Sequence, residues 1–278
     1  MPVTNEGIII KTKVFLKLAK CYIRQTSNGV KNILWFKEVS KKDIALVGGK
    51  NASLGEMYSK LTGKSLPAGR QGINIPDGFA LTTAAYWRYL KANKIDKTLK
   101  SIFQNFNPQQ IESFQKVGQA SRTLILKGII PSDLKEEITK AYRKLGEKYG
   151  PNPVVAVRTS GVAEDTANAS FAGQFETYLN VRGEEKLLEA IKKSIASTFT
   201  NRAIAYREEK GFSQLKLGLS VGVQKMIRSD LASAGIIFTL DTESGFKDAL
   251  IVNSIFGVGE MIVKGKITPD QFTVFKPT

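Results

Sequence analysis

The stretch Val154–Val181, VVAVRTSGVAEDTANASFAGQFETYLNV, sets the reading of the whole chain. It opens on an apolar run, Val154, Val155 and Val157, of the kind that fits a buried strand ending at Arg158. Phe175, Thr177, Leu179 and Val181 then recur at period two, which predicts a second strand with those four side chains on one face. Between the strands lies a loop of small and acidic residues, in which Ser170, Ala172 and Gly173 leave the backbone N–H groups open to an anion. Arg158 adds a planar, permanently charged fork at the loop's mouth. Strand, small-residue loop and strand, with a cation at the entrance, is what phosphate binding requires. On these residues alone a second reading stands beside it, in which Gly173 serves a turn and Arg158 pairs with Glu164 or Asp165 at the surface.

The 278 residues are 42% hydrophobic and 24% charged, a globular composition with enough chain for a sizeable core. No apolar run reaches the roughly 18 residues of a membrane span, so a soluble protein is expected. The 41 basic and 25 acidic residues leave a net charge of +16, concentrated toward the N-terminus. No basic helix with interleaved stacking aromatics and no zinc-finger spacing accompanies that charge, so nucleic-acid binding is not expected and a solvated surface accounts for most of it. Cys21 is the single cysteine, which excludes an internal disulfide and points to a reducing cytoplasm. There is no histidine, which removes a histidine base, a Ser-His-Asp triad, a histidine-ligated metal and a phosphohistidine from this sequence. Chemistry here must run on Lys, Arg, carboxylates, hydroxyls and backbone; no metal ligand is singled out.

Residues 1–32 read as a basic, poorly ordered extension, although Val14, Phe15, Leu18 and Tyr22 at helical spacing also fit an amphipathic targeting segment. At Gly48-Gly49-Lys50 the glycines permit a tight turn, and Leu54, Met57, Tyr58 and Leu61 follow at helical spacing. Lys50 therefore stands at a helix N-terminus, where free N–H groups and the dipole favour anions. The spacing is not that of a Walker loop, and an exposed lysine after a turn is the alternative. Beyond a loop at 63–72, Pro76-Asp77-Gly78 turns into a short strand and a helix capped at Thr82 or Thr83. Further helices are predicted from Ile111 to Gly128, from Ser132 to Gly146 and from Glu184 to Phe199. Arg202 and Arg207, in the helical run that follows, are within reach of a phosphate but read as surface charge. From Leu219 the period drops to two, and Leu219, Val221, Val223 and Lys225 are expected to pair antiparallel with the returning Gly235–Leu240. Strands at Leu250–Asn253 and Ile267–Phe275 follow. A helical front and a meandering β end, with no βαβ repeat, predict an α+β fold.

Taken in order, Val47-Gly48-Gly49-Lys50-Asn51-Ala52-Ser53-Leu54-Gly55-Glu56-Met57, Pro76-Asp77-Gly78-Phe79, Val157-Arg158-Thr159-Ser160 with Ala163-Glu164-Asp165, Ser170-Phe171-Ala172-Gly173-Gln174, Gln224-Lys225-Met226 and Gly257-Val258-Gly259-Glu260 resemble the N-terminal nucleotide-binding domain of the phosphoenolpyruvate synthase (pyruvate, water dikinase) family. The resemblance runs from about Leu34 to Pro277. It implies an ATP-grasp-like domain over residues 33–278, with ATP held between two α+β subdomains. It also implies that Lys50 and Arg158 hold the ATP phosphates and are the catalytic cations. Gly173 with Thr177 and Tyr178 looks like the glycine-loop region, and Gln224 like part of the hinge strand beside the adenine. Where the family usually has Arg-Ser-Ser-Ala-Thr-Ala-Glu-Asp, this chain has Arg158-Thr159-Ser160-Gly161-Val162-Ala163-Glu164-Asp165, and residues 66–72 look inserted.

In the family a further strand supplies an acidic residue and a Gln-Ala-Arg-Pro motif that complete the Mg²⁺ and γ-phosphate site. A phosphohistidine domain and a pyruvate-binding barrel come after it. The resemblance therefore implies ATP with Mg²⁺, whose ligands are expected outside this sequence, and a family reaction converting ATP, pyruvate and water to AMP, phosphate and phosphoenolpyruvate. The domain is expected to be incomplete at its C-terminus and incapable of full turnover alone. Another dikinase, such as pyruvate phosphate dikinase or a rifampicin phosphotransferase, and a stand-alone nucleotide-binding module are the alternatives.

Overall fold

The structure, a computed structural model, describes residues 31–62, 73–162 and 175–277. The chain divides into two compact units, the first running to Met226 and the second starting at Ile227.

The first unit is built on a five-stranded antiparallel sheet of β1 (Ile33–Trp35), β2 (Gly78–Leu81), β3 (Val155–Gly161), β4 (Thr177–Val181) and β5 (Leu219–Lys225), in the order β1-β2-β5-β3-β4. Alternation along the strands gives the sheet two different faces. Phe79, Leu81, Val155, Val157, Val221 and Val223 are buried on one of them, in the main core. That face is covered by α2 (Thr83–Ala92), α5 (Ser132–Tyr149) and α6 (Glu184–Ser197). Behind them pack α3 (Ile95–Gln104), α4 (Ile111–Lys127) and α7 (Asn201–Glu209). The amphipathic pattern read in 184–199 does what its spacing predicts, since Leu187, Ile191 and Ile195 are all buried. Thr82 caps α2 by accepting from the Ala85 N–H. The opposite face receives α1 (Ile44–Leu61) and a smaller core of Phe36, Val39, Val47, Ala52 and Ala80.

The second unit is a three-stranded antiparallel meander of β6 (Ser233–Phe238), β7 (Ala249–Phe256) and β8 (Asp270–Phe275), with the one-turn α8 (Glu260–Val263) before β8. Mixed helix and sheet, antiparallel among the described strands, agrees with an α+β reading.

Four sequence-based expectations are corrected. β5 does not pair with Gly235–Leu240; it is a central strand between β2 and β3, and β6 belongs to the other sheet. Period-two alternation identifies a strand without naming its partner, and the long-range pairing with β2 and β3 buries Leu219, Val221 and Val223. α5 runs through Gly146 and stops at Gly150, whose φ of 88° ends it. Residues Thr177, Leu179 and Val181 do not share one face. Asn180 is left-handed at φ 56°, the register against β3 shifts by one residue, and Tyr178 rather than Leu179 joins Val181 on the core side. Finally, Arg207 is not surface charge: it is 3% exposed. The expectations placed on residues 1–30, on the 66–72 insertion and on Gly173 lie outside the described residues.

Candidate nucleotide-phosphate site

The site grows out of a break in α1. Gly48 has φ 72° and ψ 168°, so the helix stops, turns and restarts at Gly49. Two requirements meet at this residue. The backbone conformation is one that L side chains rarely adopt, and a Cβ there would collide with the carbonyl oxygen and hydroxyl of Ser160 on β3. The restarted segment therefore sits directly on the end of β3. Its first N–H groups form a new helix N-terminus, and one of them, the Asn51 N–H, donates to Ser160 Oγ at 3.2 Å.

Asn51 completes the docking. Its Nδ2 donates to Ser220 Oγ on β5 at 3.0 Å, and Ser220 Oγ donates in turn to the Leu81 carbonyl on β2 at 2.6 Å. Asn51 is fully buried, and a Cβ on Gly222 would run into its side-chain amide. The helix approaches this closely because β5 presents serine and glycine where its other face presents valine. A line of hydrogen bonds thus joins α1 to three strands at the point where Lys50 leaves the kink.

Arg158 lies two residues before Ser160 on β3 and shares its face, about 7 Å along the strand. Directly across from it stand Gly222 on β5 and Thr177 on β4. Gln224 continues that face on β5, opposite Ala156 and Gly78, and its Nε2 donates to the Pro76 carbonyl at 3.3 Å. The structure therefore brings Arg158, Thr177 and Gln224 to one face of the sheet, the face on which the Lys50 turn of α1 is docked. Tyr178 is placed on the other face, opposite Val157, packed against the main core. Burial, and after it the charge of Glu176, pushes its phenol pKa up.

Next to Gln224, at the head of β2, Asp77 is buried and tied down. Its Oδ2 accepts from Tyr58 Oη at 3.1 Å and from Lys148 Nζ at 3.3 Å, and its Oδ1 from the Gly78 N–H at 2.8 Å. Burial acts to lower the Lys148 pKa, but hydrogen bonding to Tyr149 and the charge of Asp77 outweigh it and hold the ammonium above the ordinary lysine range. The backbone extends the same junction, with Lys225 N–H donating to the Asp77 carbonyl at 2.9 Å.

Sequence reasoning did not single out Asn51, Ser220, Gly222 or Asp77 as organisers. The available signal was an asparagine inside a helix-forming run, where its side chain usually competes with the backbone, and the Ser-Val-Gly alternation of β5, which leaves one face without bulk. Among the described residues there is no group of three or more Asp, Glu, His or Cys side chains able to hold a metal ion. Apart from Asp77, which is held by Tyr58, Lys148 and the Gly78 N–H, the side chains gathered here are cationic or neutral and suit an anion better than a divalent cation. No helix among the described residues is long and apolar enough to cross a membrane.

The pyruvate phosphate dikinase AMP/ATP-binding domain family matches residues 44–278. The chain is 49% identical over 247 residues to the phosphoenolpyruvate synthase of Aquifex aeolicus (strain VF5), covering 88% of this chain and 28% of that protein. It is 47% identical over 247 residues to the phosphoenolpyruvate synthase of Helicobacter pylori (strain ATCC 700392 / 26695), covering 88% of this chain and 30% of that one. The synthase of Escherichia coli (strain K12) is 40% identical over 246 residues, with 88% and 30% covered. The chain thus spans less than a third of the length of these curated relatives.

Proposed function

The chain belongs to the family of pyruvate phosphate dikinase AMP/ATP-binding domains, and on that premise we propose that its Lys50 and Arg158 grip the phosphates of ATP. The observation that carries this reading is the Gly48 break, which seats a restarted helix N-terminus on Ser160, two residues from Arg158 and on the same face of the sheet. A lysine, an arginine and the dipole of a helix N-terminus then act on one anion together. Positioning and neutralising the developing charge is most of what phosphoryl transfer asks of a protein.

Thr177, opposite Arg158, and Gly173 belong to the glycine-loop region over the phosphates in this reading. Tyr178 anchors that strand from the core side, and Gln224 lies beside the adenine. The fold is ATP-grasp-like over residues 33–278, the setting is the cytoplasm, and Mg²⁺ accompanies the nucleotide. The described residues hold no group of three or more Asp, Glu, His or Cys side chains for that ion. The whole-enzyme reaction is the conversion of ATP, pyruvate and water to AMP, phosphate and phosphoenolpyruvate. Since the sequence contains no histidine, the phosphohistidine of such an enzyme is not among these residues, and on this reading neither is its pyruvate-binding domain. The acceptor is chosen there, so a pyruvate phosphate dikinase is the second reading, favoured by the name of the matching family.

Calorimetry with Mg-ATP and, separately, with a short RNA tests the proposal. ATP is expected to bind the unmodified chain and to bind at least tenfold more weakly in Lys50→Ala and Arg158→Ala, the loss of a charge-assisted hydrogen bond. Salt-sensitive RNA binding with no ATP response would overturn it. Given ATP, Mg²⁺ and pyruvate, these 278 residues are expected to form no phosphoenolpyruvate.

A further inference from the structure

Arg207, on α7, is buried among neutral groups. Its Nε donates to Gln214 Oε1 at 2.8 Å and its Nη1 to the Thr198 carbonyl at 2.6 Å. The guanidinium carbon lies 5.4 Å from the centre of the Phe199 ring. Its Nη2 is buried with no hydrogen-bond partner, and among the described residues no carboxylate forms an ion pair with it. Burial pulls the pKa down to about 10, with nearby Tyr86 acting in the other direction, so the group keeps its charge at neutral pH. A full charge taken out of water and met, among the described residues, by two neutral acceptors and a ring face is incompletely compensated.

Arg207 also lines a cavity of about 30 Å³, together with Tyr86, Gly161, Thr198, Phe199 and Leu219. That volume has room for roughly two water molecules, and far less than a nucleotide needs. Its walls are mostly apolar, with the polar groups gathered around Arg207. A cavity of this size beside an unpaired buried donor fits an ion that carries one negative charge and little else.

We propose that the cavity beside Arg207 binds a small monovalent anion, a halide or a one- or two-carbon carboxylate, with Nη2 as its donor and the Phe199 and Tyr86 rings enclosing it. The site is separate from the nucleotide reading. It is joined to it through β3, whose last residue, Gly161, lines the cavity three residues after Arg158. An occupant would therefore stabilise the end of the strand that carries the phosphate-binding arginine.

Thermal unfolding of the full chain, with sodium gluconate replaced stepwise by chloride or formate at constant ionic strength, tests this. The small anions are expected to raise Tm by about 3–6 °C along a saturating curve, while gluconate, too large for the cavity, has no effect. Arg207→Gln should lose the response and Lys50→Ala should keep it, which separates this site from the nucleotide site. Should Arg207→Gln fail to fold, crystals of the unmodified protein soaked in bromide decide the matter: an anomalous peak within hydrogen-bonding distance of Nη2 is expected. No saturating Tm response, or a cavity holding only water while bromide binds elsewhere, overturns the proposal.

Discussion

On one face of the five-stranded sheet, Phe79, Leu81, Val155, Val157, Val221 and Val223 stand against a layer of helices. On the other, Ser160, Ser220 and Gly222 stand against α1, which meets them with Gly48 and Asn51, and Arg158 shares their face. The first face gains its stability from buried apolar area, a non-directional contribution that tolerates repacking. The second depends on close approach and on hydrogen bonds with one geometry. That is the better material for holding a cation in place, because a small displacement of α1 moves Lys50 relative to Arg158. On the proposed reading, stability and nucleotide binding are assigned to opposite sides of the same strands.

The comparison breaks most readily at Gly48. Gly48→Val adds the strain of a left-handed β-branched residue to a collision with Ser160, and should cost about 4 kcal/mol in urea unfolding and abolish ATP binding by calorimetry. On the apolar face, Ile138→Ala removes a fully buried side chain from α5. It should cost about 3 kcal/mol while leaving the ATP dissociation constant within about twofold, because the substitution is remote from the polar face. If ATP affinity fell as far in Ile138→Ala as in Gly48→Val, the division of labour between the faces would be wrong.

Asn51→Ala removes the bond to Ser220 and should cost only about 1 kcal/mol, partly offset because the buried Asn51 Oδ1 has no partner to lose. Its ATP affinity should nevertheless fall at least threefold, the sharpest test of a face whose value is positional. The smallest effect belongs to the surface. The Arg143 hydrogen bond holds the Glu184 carboxyl below its usual range. A depressed carboxylate pKa stabilises the fold above the unfolded value near 4.5 and loses that contribution as pH falls through the folded value. Arg143→Gln should therefore lower Tm by on the order of 1 °C at pH 7, and the difference should shrink as the pH falls below the unfolded value and the carboxyl protonates.

Much of the apolar face was legible in the chain. The alternation of Val155 and Val157, the spacing of Leu187, Ile191 and Ile195 and the cap at Thr82 each report a local period or a local hydrogen bond, and each appears in the structure. The polar face was legible only in part. Lys50 and Arg158 stood out as cations beside glycines, yet nothing local shows that Gly48 must touch Ser160 across 112 positions of chain, or that Asn51 binds Ser220. The partner of β5 was misread for the same reason, since alternation is a property of one strand and pairing a property of two. At Tyr178 a single left-handed residue, Asn180, shifts the register and reverses the face that period two assigns. Arg207 shows the opposite failure: a charged residue on a helix reads as exposed until the packing of Phe199 and Gln214 around it is known.

By itself the sequence determined most of the helices and strands, though not β1 or α3, together with the chemistry available to a histidine-free chain and the pair of cations to look for around two glycine-containing turns. Those are consequences of local periodicity, of residue inventory and of backbone freedom at glycine. Only the tertiary structure decided that Gly48 docks on Ser160, that Arg158 and Thr177 face each other while Tyr178 looks away, and that Arg207 is sealed beside a cavity. Each of these depends on residues far apart in the chain being brought within a few ångströms, where a missing Cβ or a single hydrogen bond determines what fits.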